Sequence, residues 1–291
     1  MPNNRQPVPS RAKKAGNKRV TGKEQYYTPI SLAQELIAEV QKFVPNLAEH
    51  QIIEPAGGTG SFIEAAKSIG ATKVVAFDIE PKHALVKAGD FLSADLKAKN
   101  AVTISNPPFG RNNSLSIPFF NKAAAHSDFI CFIVPRSWRK WSVINRLDRN
   151  FHLIADHDIQ IDYEDDLGQK LSKRNSLATC FQIWQRQDNL RPKYSVADQG
   201  IISKTDPKSA DVALTIFGFG CGKVHTEFER TDNTTRMFLK LNHPKALKAL
   251  QSVDFAKFYR NTAYTEALSL QEINYLLNEA ILGNPHLEEQ V

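Results

Sequence analysis

The sequence predicts an α/β core, a largely parallel sheet with helices on both faces, carrying a smaller α+β unit at its C-terminal end. Three observations predict it. A short apolar run, Gln51-Ile52-Ile53, passes through a glycine-rich turn into an apolar helical stripe, the unit from which parallel sheets are built. Two further apolar runs end in polar corners: Lys73 to Glu80 closes in acid, and Val102-Thr103-Ile104-Ser105 closes in Asn106-Pro107-Pro108-Phe109. From Gln187 the composition turns polar, Arg191-Pro192 reads as a linker, and mixed strand-like and helical pieces follow. The expected division is a basic tail over 1–24, the core over 25–187 and an appended region over 188–291.

Hydrophobic content of 42% and charge of 23% over 291 residues are those of an ordinary soluble protein. With no apolar run of membrane-spanning length and no signal-peptide pattern, the expectation is a cytoplasmic protein without a membrane partner. Cys131, Cys180 and Cys221 lie far apart among apolar neighbours and read as reduced core thiols. With no zinc spacing among the histidines, no metal is expected. The net charge is +6, but residues 1–23 hold seven basic residues and no acid, and subtracting that +7 leaves −1 for the rest. Such a tail reads as disordered and suited to neutralising phosphates or to keeping the chain in solution.

Order begins near Tyr26-Tyr27-Thr28-Pro29. Thr28 fits a helix N-cap with Pro29 in the first helical position, ahead of an apolar stripe through Leu32, Leu36, Val40, Phe43 and Val44. The next segment, Glu54-Pro55-Ala56-Gly57-Gly58-Thr59-Gly60, lets a ligand approach the backbone, and the helix that follows through Phe62, Ala65, Ala66 and Ile69 stops at Gly70. A dinucleotide fingerprint would want a third glycine where Phe62 and Ile63 stand, and Glu54 favours a ligand with a positive group over a pyrophosphate. Asp78 ends the second strand about 20 residues after the turn, where α/β folds put a carboxylate on ribose hydroxyls; Glu80, before Pro81, reads as a cap. Asp90-Phe91 pairs an acceptor with an aromatic, suited to an adenine amine and ring.

The prolines of the corner fix their φ angles and carry no N–H. The Asn106 side-chain oxygen and the Pro107 carbonyl can then accept both protons of an exocyclic amine, while Phe109 offers a face for a planar base. The other reading is a strand-ending turn whose Phe is core.

The order of strand, glycine turn, helix, acid-ended strand, Asp-Phe turn and Asn-Pro-Pro-Phe strand end resembles the S-adenosylmethionine-dependent adenine-N6 methyltransferases of nucleic acid, in particular the subgroup with a C-terminal target-recognition region. The resemblance covers roughly residues 25–187 and implies a Rossmann-like core of about seven strands. It implies S-adenosyl-L-methionine as cofactor, with Tyr27 and Thr28 near the methionine carboxylate. Glu54, Ala56, Gly58, Gly60 and Phe62 would line the methionine and ribose, Asp78 and Ile79 the ribose edge, and Asp90 and Phe91 the adenine. Asn106, Pro107, Pro108 and Phe109 would form the catalytic corner, with Asn106 also near the cofactor. It further implies base flipping, DNA as partner, and DNA methylation of the restriction-modification kind. Many relatives have Asp for Asn106 and Tyr for Phe109, and Asn-Pro-Pro-Phe also occurs in enzymes that methylate RNA bases, so RNA stays open as partner. A glutamine amide as acceptor, a binding module without catalysis and a nicotinamide-dependent oxidoreductase are weaker alternatives.

After the corner, Gly110 to Ser114 reads as a polar loop able to close over a base, and Ser116 and Pro118 suit a helix start. Phe129 to Pro135 reads as a buried strand. Arg136-Ser137-Trp138-Arg139-Lys140-Trp141 reads equally as a nucleic-acid grip or as core tryptophans with solvated charges. His152 to Asp156 and Leu177 to Trp184 are the expected last sheet strands, with Lys170, Lys173 and Arg174 in the loop between them. Beyond, strands are expected at Val212 to Phe217 and Arg236 to Leu241, and helices near 244–253 and 269–282. This region is taken as a target-recognition or accessory unit.

Overall fold

The computed structural model describes residues 27–165, 167–170 and 177–290. The basic tail, Tyr26, Lys173 and Arg174 lie outside the described residues.

A helix, α1 (Ile30–Gln41), leads into a sheet of seven strands: β1 (Ile52–Glu54), β2 (Val74–Asp78), β3 (Val86–Ala88), β4 (Ala101–Ser105), β5 (Ser127–Pro135), β6 (Phe151–Ile159) and β7 (Thr179–Arg186). Their spatial order is β3-β2-β1-β4-β5-β7-β6, parallel except for β7, which runs antiparallel to both neighbours. This is the Rossmann-like seven-stranded arrangement expected, and a smaller α+β unit follows it in the chain.

Alternation along the strands builds a core on each face. Ile52, Val102, Ile104, Cys131, Ile133, Phe181 and Ile183 face a layer formed by α1 and α2 (Ser61–Ser68). Their neighbours Ile130, Phe132 and Val134 face α3 (Ser116–Ala124), where the Phe120 ring meets Phe132, Trp138, Phe151 and Trp184 edge-on at 5.5–6.2 Å. Helix α2 ends as the sequence predicts: Gly70 takes a φ of 91°, and the N–H of Ala71 returns to the Ala66 carbonyl. All three cysteines are buried and free, and burial raises their thiol pKa values.

The C-terminal unit holds a four-stranded antiparallel sheet, ordered β11 (Val224–His225), β10 (Val212–Thr215), β12 (Arg236–Leu241) and β9 (Ile202–Lys204). It packs on helices α4 (Ala246–Ser252) and α5 (Leu270–Leu282). A two-stranded ribbon pairs β8 (Lys193–Val196) with β13 (Leu287–Gln290).

The junction corrects the sequence reading of Arg191-Pro192 as a linker. Arg191 is 4% exposed, and its guanidinium donates to the carbonyls of Phe151, Ile144 and Leu147 at 2.8–3.3 Å. Beside it, Asn145 exchanges two hydrogen bonds with the Tyr194 backbone. A composition turning polar cannot show that an arginine will be spent on buried carbonyls.

Candidate functional site

Strand order reverses between β1 and β4, so the segments leaving their carboxyl ends diverge and open a crevice there. The glycine turn follows β1 and the Asn106 corner follows β4, which puts both on that crevice. Gly58 and Gly60 take φ values of 41° and 85°, and a Cβ on Gly58 would lie 2.7 Å from the Tyr27 ring. Side chains are thus excluded from the turn, and Tyr27 lies over it.

Asp78 braces this turn. One carboxylate oxygen accepts the Gly58 N–H at 2.8 Å and the other accepts the Glu80 N–H at 2.8 Å. A carboxylate oxygen accepts more than one bond, so Asp78 can still receive a ligand diol. Ile79, next along, is 71% exposed and offers an apolar face at the same edge. Asp90 is exposed, with one oxygen on the Leu92 N–H.

Asn106 is half-buried, and its Nδ2 donates to the Thr28 hydroxyl at 3.1 Å. Among the described residues nothing donates to Asn106 Oδ1 or to the Pro107 carbonyl, so the two acceptors remain available at the strand end. Thr28 is held in turn: its carbonyl accepts from Ser61 Oγ at 2.6 Å, and Tyr27 before it exchanges two backbone bonds with Glu164 in the β6–β7 connection. This overturns Thr28 as a helix N-cap. The N-cap of α1 is Pro29, without a side-chain cap, and the Thr28 hydroxyl serves Asn106.

Beneath the crevice, Glu54 is 2% exposed and points inward. One oxygen, Oε1, accepts both the Ser105 hydroxyl at 2.5 Å and the Ala56 N–H at 3.0 Å. Ser105, one residue before the catalytic candidate, is thereby linked to the glycine turn. Sequence reading missed Ser105, although a hydroxyl ending an otherwise apolar strand was the available signal. Burial raises the Glu54 pKa from 4.5 to about 8 against the lowering effect of those two bonds, with the Asp78 charge adding to the rise. Between pH 4.5 and 8 the folded chain keeps a proton that the unfolded chain has released. The contribution of Glu54 to stability is therefore greatest at the acid end and is lost as pH rises through 8. Glu54→Gln, uncharged throughout and able to accept the same two bonds, should flatten that dependence. Melting temperatures of both proteins across this range check it, and an unchanged slope in the variant would sink the assignment.

Two ring-face assignments, Phe91 and Phe109, need correction, and Phe62 is buried as well. Phe62 (6% exposed) and Phe109 (8%) pack in the core beneath α1 and α2, so neither presents a ring face. Phe91 is 1% exposed, its ring 5.5 Å from Phe119 and 6.2 Å from Phe77. The loop after the corner is also less open than expected, for Asn113 is buried and donates to Ser137 Oγ at 3.1 Å. Of the basic and tryptophan stretch, the core reading holds for Trp138, while the charges are paired rather than solvated and Trp141 is half-buried. Trp138 is fully buried, Arg139 pairs with Asp156 and Asp158, Arg136 with Asp158, and Lys140 with Glu272. Among the described residues no cluster of three or more His, Cys, Asp or Glu is placed to hold a metal ion, and no helix is long and apolar enough to cross a membrane.

No protein-family model matches the chain, and no curated protein matches it. Among solved structures, a protein from Pyrococcus horikoshii described as a candidate RNA methyltransferase is 20% identical over 60% of this chain and 93% of its own, with a TM-score of 0.47. TrmN from Thermus thermophilus is 14% identical over 54% of this chain and 49% of its own, at 0.40. The M protein of the type I restriction enzyme EcoKI is 15% identical over 56% of this chain and 44% of its own, at 0.41. This chain spans less than half the length of the latter two. At these identities and scores the function has to be read from the residues of the site.

Proposed function

We propose that the chain transfers a methyl group from S-adenosyl-L-methionine to the N6 amino group of adenine in DNA. The observation that carries this reading is the Asn106 corner: a side-chain oxygen and a main-chain carbonyl left as acceptors at the end of β4, with the amide turned by its bond to Thr28. Across the crevice, the braced glycine turn, Asp78 and exposed Ile79 fit a nucleoside carrying a diol, and exposed Asp90 fits its amine. A compact cationic group beside the turn would draw the proton from Glu54, so the buried carboxyl suits a charged ligand.

Bound S-adenosylmethionine would supply an electrophilic methyl group on a sulfonium. Asn106 Oδ1 and the Pro107 carbonyl would accept the two N6 protons of an extruded adenine, directing the nitrogen lone pair toward that methyl. As the N–C bond formed, the bond from the methyl to the sulfonium sulfur would break with its electron pair left on a neutral thioether, and one N6 proton would go to solvent. The contribution of the chain is alignment and polarisation by neutral acceptors.

The test is to incubate the full chain with methyl-labelled S-adenosylmethionine and either unmethylated DNA or total RNA, then identify the labelled nucleoside by mass spectrometry. Label in N6-methyldeoxyadenosine is the expected result. Label confined to RNA would keep the corner and overturn the polymer, and no label in either would overturn the reading.

A further inference from the structure

The exposed aromatic side chains among the described residues number three: Phe217 (49% exposed), Phe219 (106%) and Tyr264 (63%). All three stand on two adjoining loops of the C-terminal unit. The Gly218 N–H donates to the Glu266 carbonyl, the Leu268 N–H donates to the Ile216 carbonyl, and Phe217 bridges Ala267. The second loop is anchored to the core, because the Ala178 N–H donates to Ala263, and the Ala178 carbonyl accepts from Arg136, the first residue after β5. The rings therefore stand at the carboxyl end of the parallel strands, the edge that also carries Asn106.

Their presentation is built into the backbone. Gly218, Gly220 and Gly222 take φ values of 84°, 79° and 91°, which disfavour other residues, and a Cβ on Gly222 would lie 2.9 Å from Phe255. Hydrogen bonds close the turn from Cys221 to Gly218, from Lys223 to Gly220 and from Gly222 to Thr215. A phenylalanine held wholly in solvent by a closed turn forgoes its burial, so a ligand is the natural occupant of its face. Glycines flank Phe217 and Phe219 in sequence and the nearby Lys223 is exposed, so these two phenylalanines offer planar faces among polar neighbours rather than a continuous apolar patch. That pattern fits bases taken singly better than the continuous apolar surface of a protein partner. Outside its tail the chain has a net charge of −1, as subtracting the +7 of residues 1–23 from +6 gives, so stacking would carry what charge does not.

We propose that Phe217 and Phe219 stack unpaired bases of the nucleic-acid strand that enters the Asn106 crevice, which makes a single-stranded or locally opened segment the preferred substrate. This rests on the function proposed above. Bases within a duplex are already stacked on one another and cannot offer these rings a face.

The experiment is fluorescence anisotropy of the full chain against a labelled single-stranded oligodeoxynucleotide, the matching duplex, and an abasic strand of equal length. The variants are Phe219→Ala, the pair Phe217→Ala with Phe219→Ala, and Phe219→Trp. The wild type should bind the single strand more tightly than the duplex. Each lost ring should weaken single-strand binding about tenfold, the abasic strand should be indifferent to the variants, and Phe219→Trp should keep the affinity. Equal losses on the abasic strand, no loss on any strand, or a tryptophan that fails to preserve binding would overturn the proposal, as would binding to a protein with none to nucleic acid. Ring-dependent strand binding without methyl transfer to DNA or RNA would sustain the stacking surface and overturn only the function it serves.

Discussion

Asn106→Ala should reduce methyl transfer by on the order of a hundredfold or more, the usual cost of removing one aligned polar group from a reacting centre. Affinity for S-adenosylmethionine should change little. The described hydrogen bond of Asn106 runs to Thr28, and the Asp78 brace on Gly58 does not involve it. Single-turnover rates and calorimetric cofactor titration separate the two, and equal loss of both would remove Asn106 from the proposed role. Thr28→Val supplies a graded version, since it leaves the amide in place but removes the hydroxyl that turns it. The rate should fall about tenfold, within the range for a lost hydrogen bond to a polar group, and Thr28→Ser should restore it.

Asp78→Ala should show the opposite division, with cofactor affinity lost first. Two ribose hydroxyls bonded to a charged acceptor contribute about 1.5–3 kcal/mol each, so the dissociation constant should rise by on the order of a hundredfold or more. Stability should fall as well, because the N–H groups of Gly58 and Glu80 lose their acceptor. Asp78→Asn can keep one of those bonds but turns an NH2 group toward the other N–H, so it should rescue stability in part and affinity less. Undiminished cofactor binding in Asp78→Ala would exclude a diol from this carboxylate.

The sheet was legible because its signals are local. Val102 to Ser105 is fully buried, and apolar, β-branched runs of that kind admit few other readings. The β7 strand, expected over Leu177 to Trp184, lies at Thr179–Arg186, within the usual blur of an element end. The side-chain roles around the crevice were less legible, because they depend on partners remote in sequence. Thr28 and Asn106 are 78 residues apart, and Glu54 and Ser105 are 51 apart. No local rule pairs them. Phe91 and Phe109 were misjudged for a related reason: a motif says which residue types surround a ligand, while the packing of α1, α2 and α3 decides which rings have any face left. The same blindness covered Arg136, Arg139 and Lys140, whose partners Asp156, Asp158 and Glu272 lie on later elements.

Arg191, buried on three core carbonyls where a linker was expected, ties the chain down at the start of the C-terminal unit. Trp141, its ring tilted against Phe258 and Tyr275 at 5.4–5.5 Å, and Lys140, bonded to Glu272 at 3.0 Å, make a second attachment between the core and the C-terminal unit. A body clamped at two places acts as a caliper with its jaws set. Under the proposed function, a fixed span from the aromatic loops to the Asn106 corner would set how many nucleotides separate the stacked bases from the one that reacts.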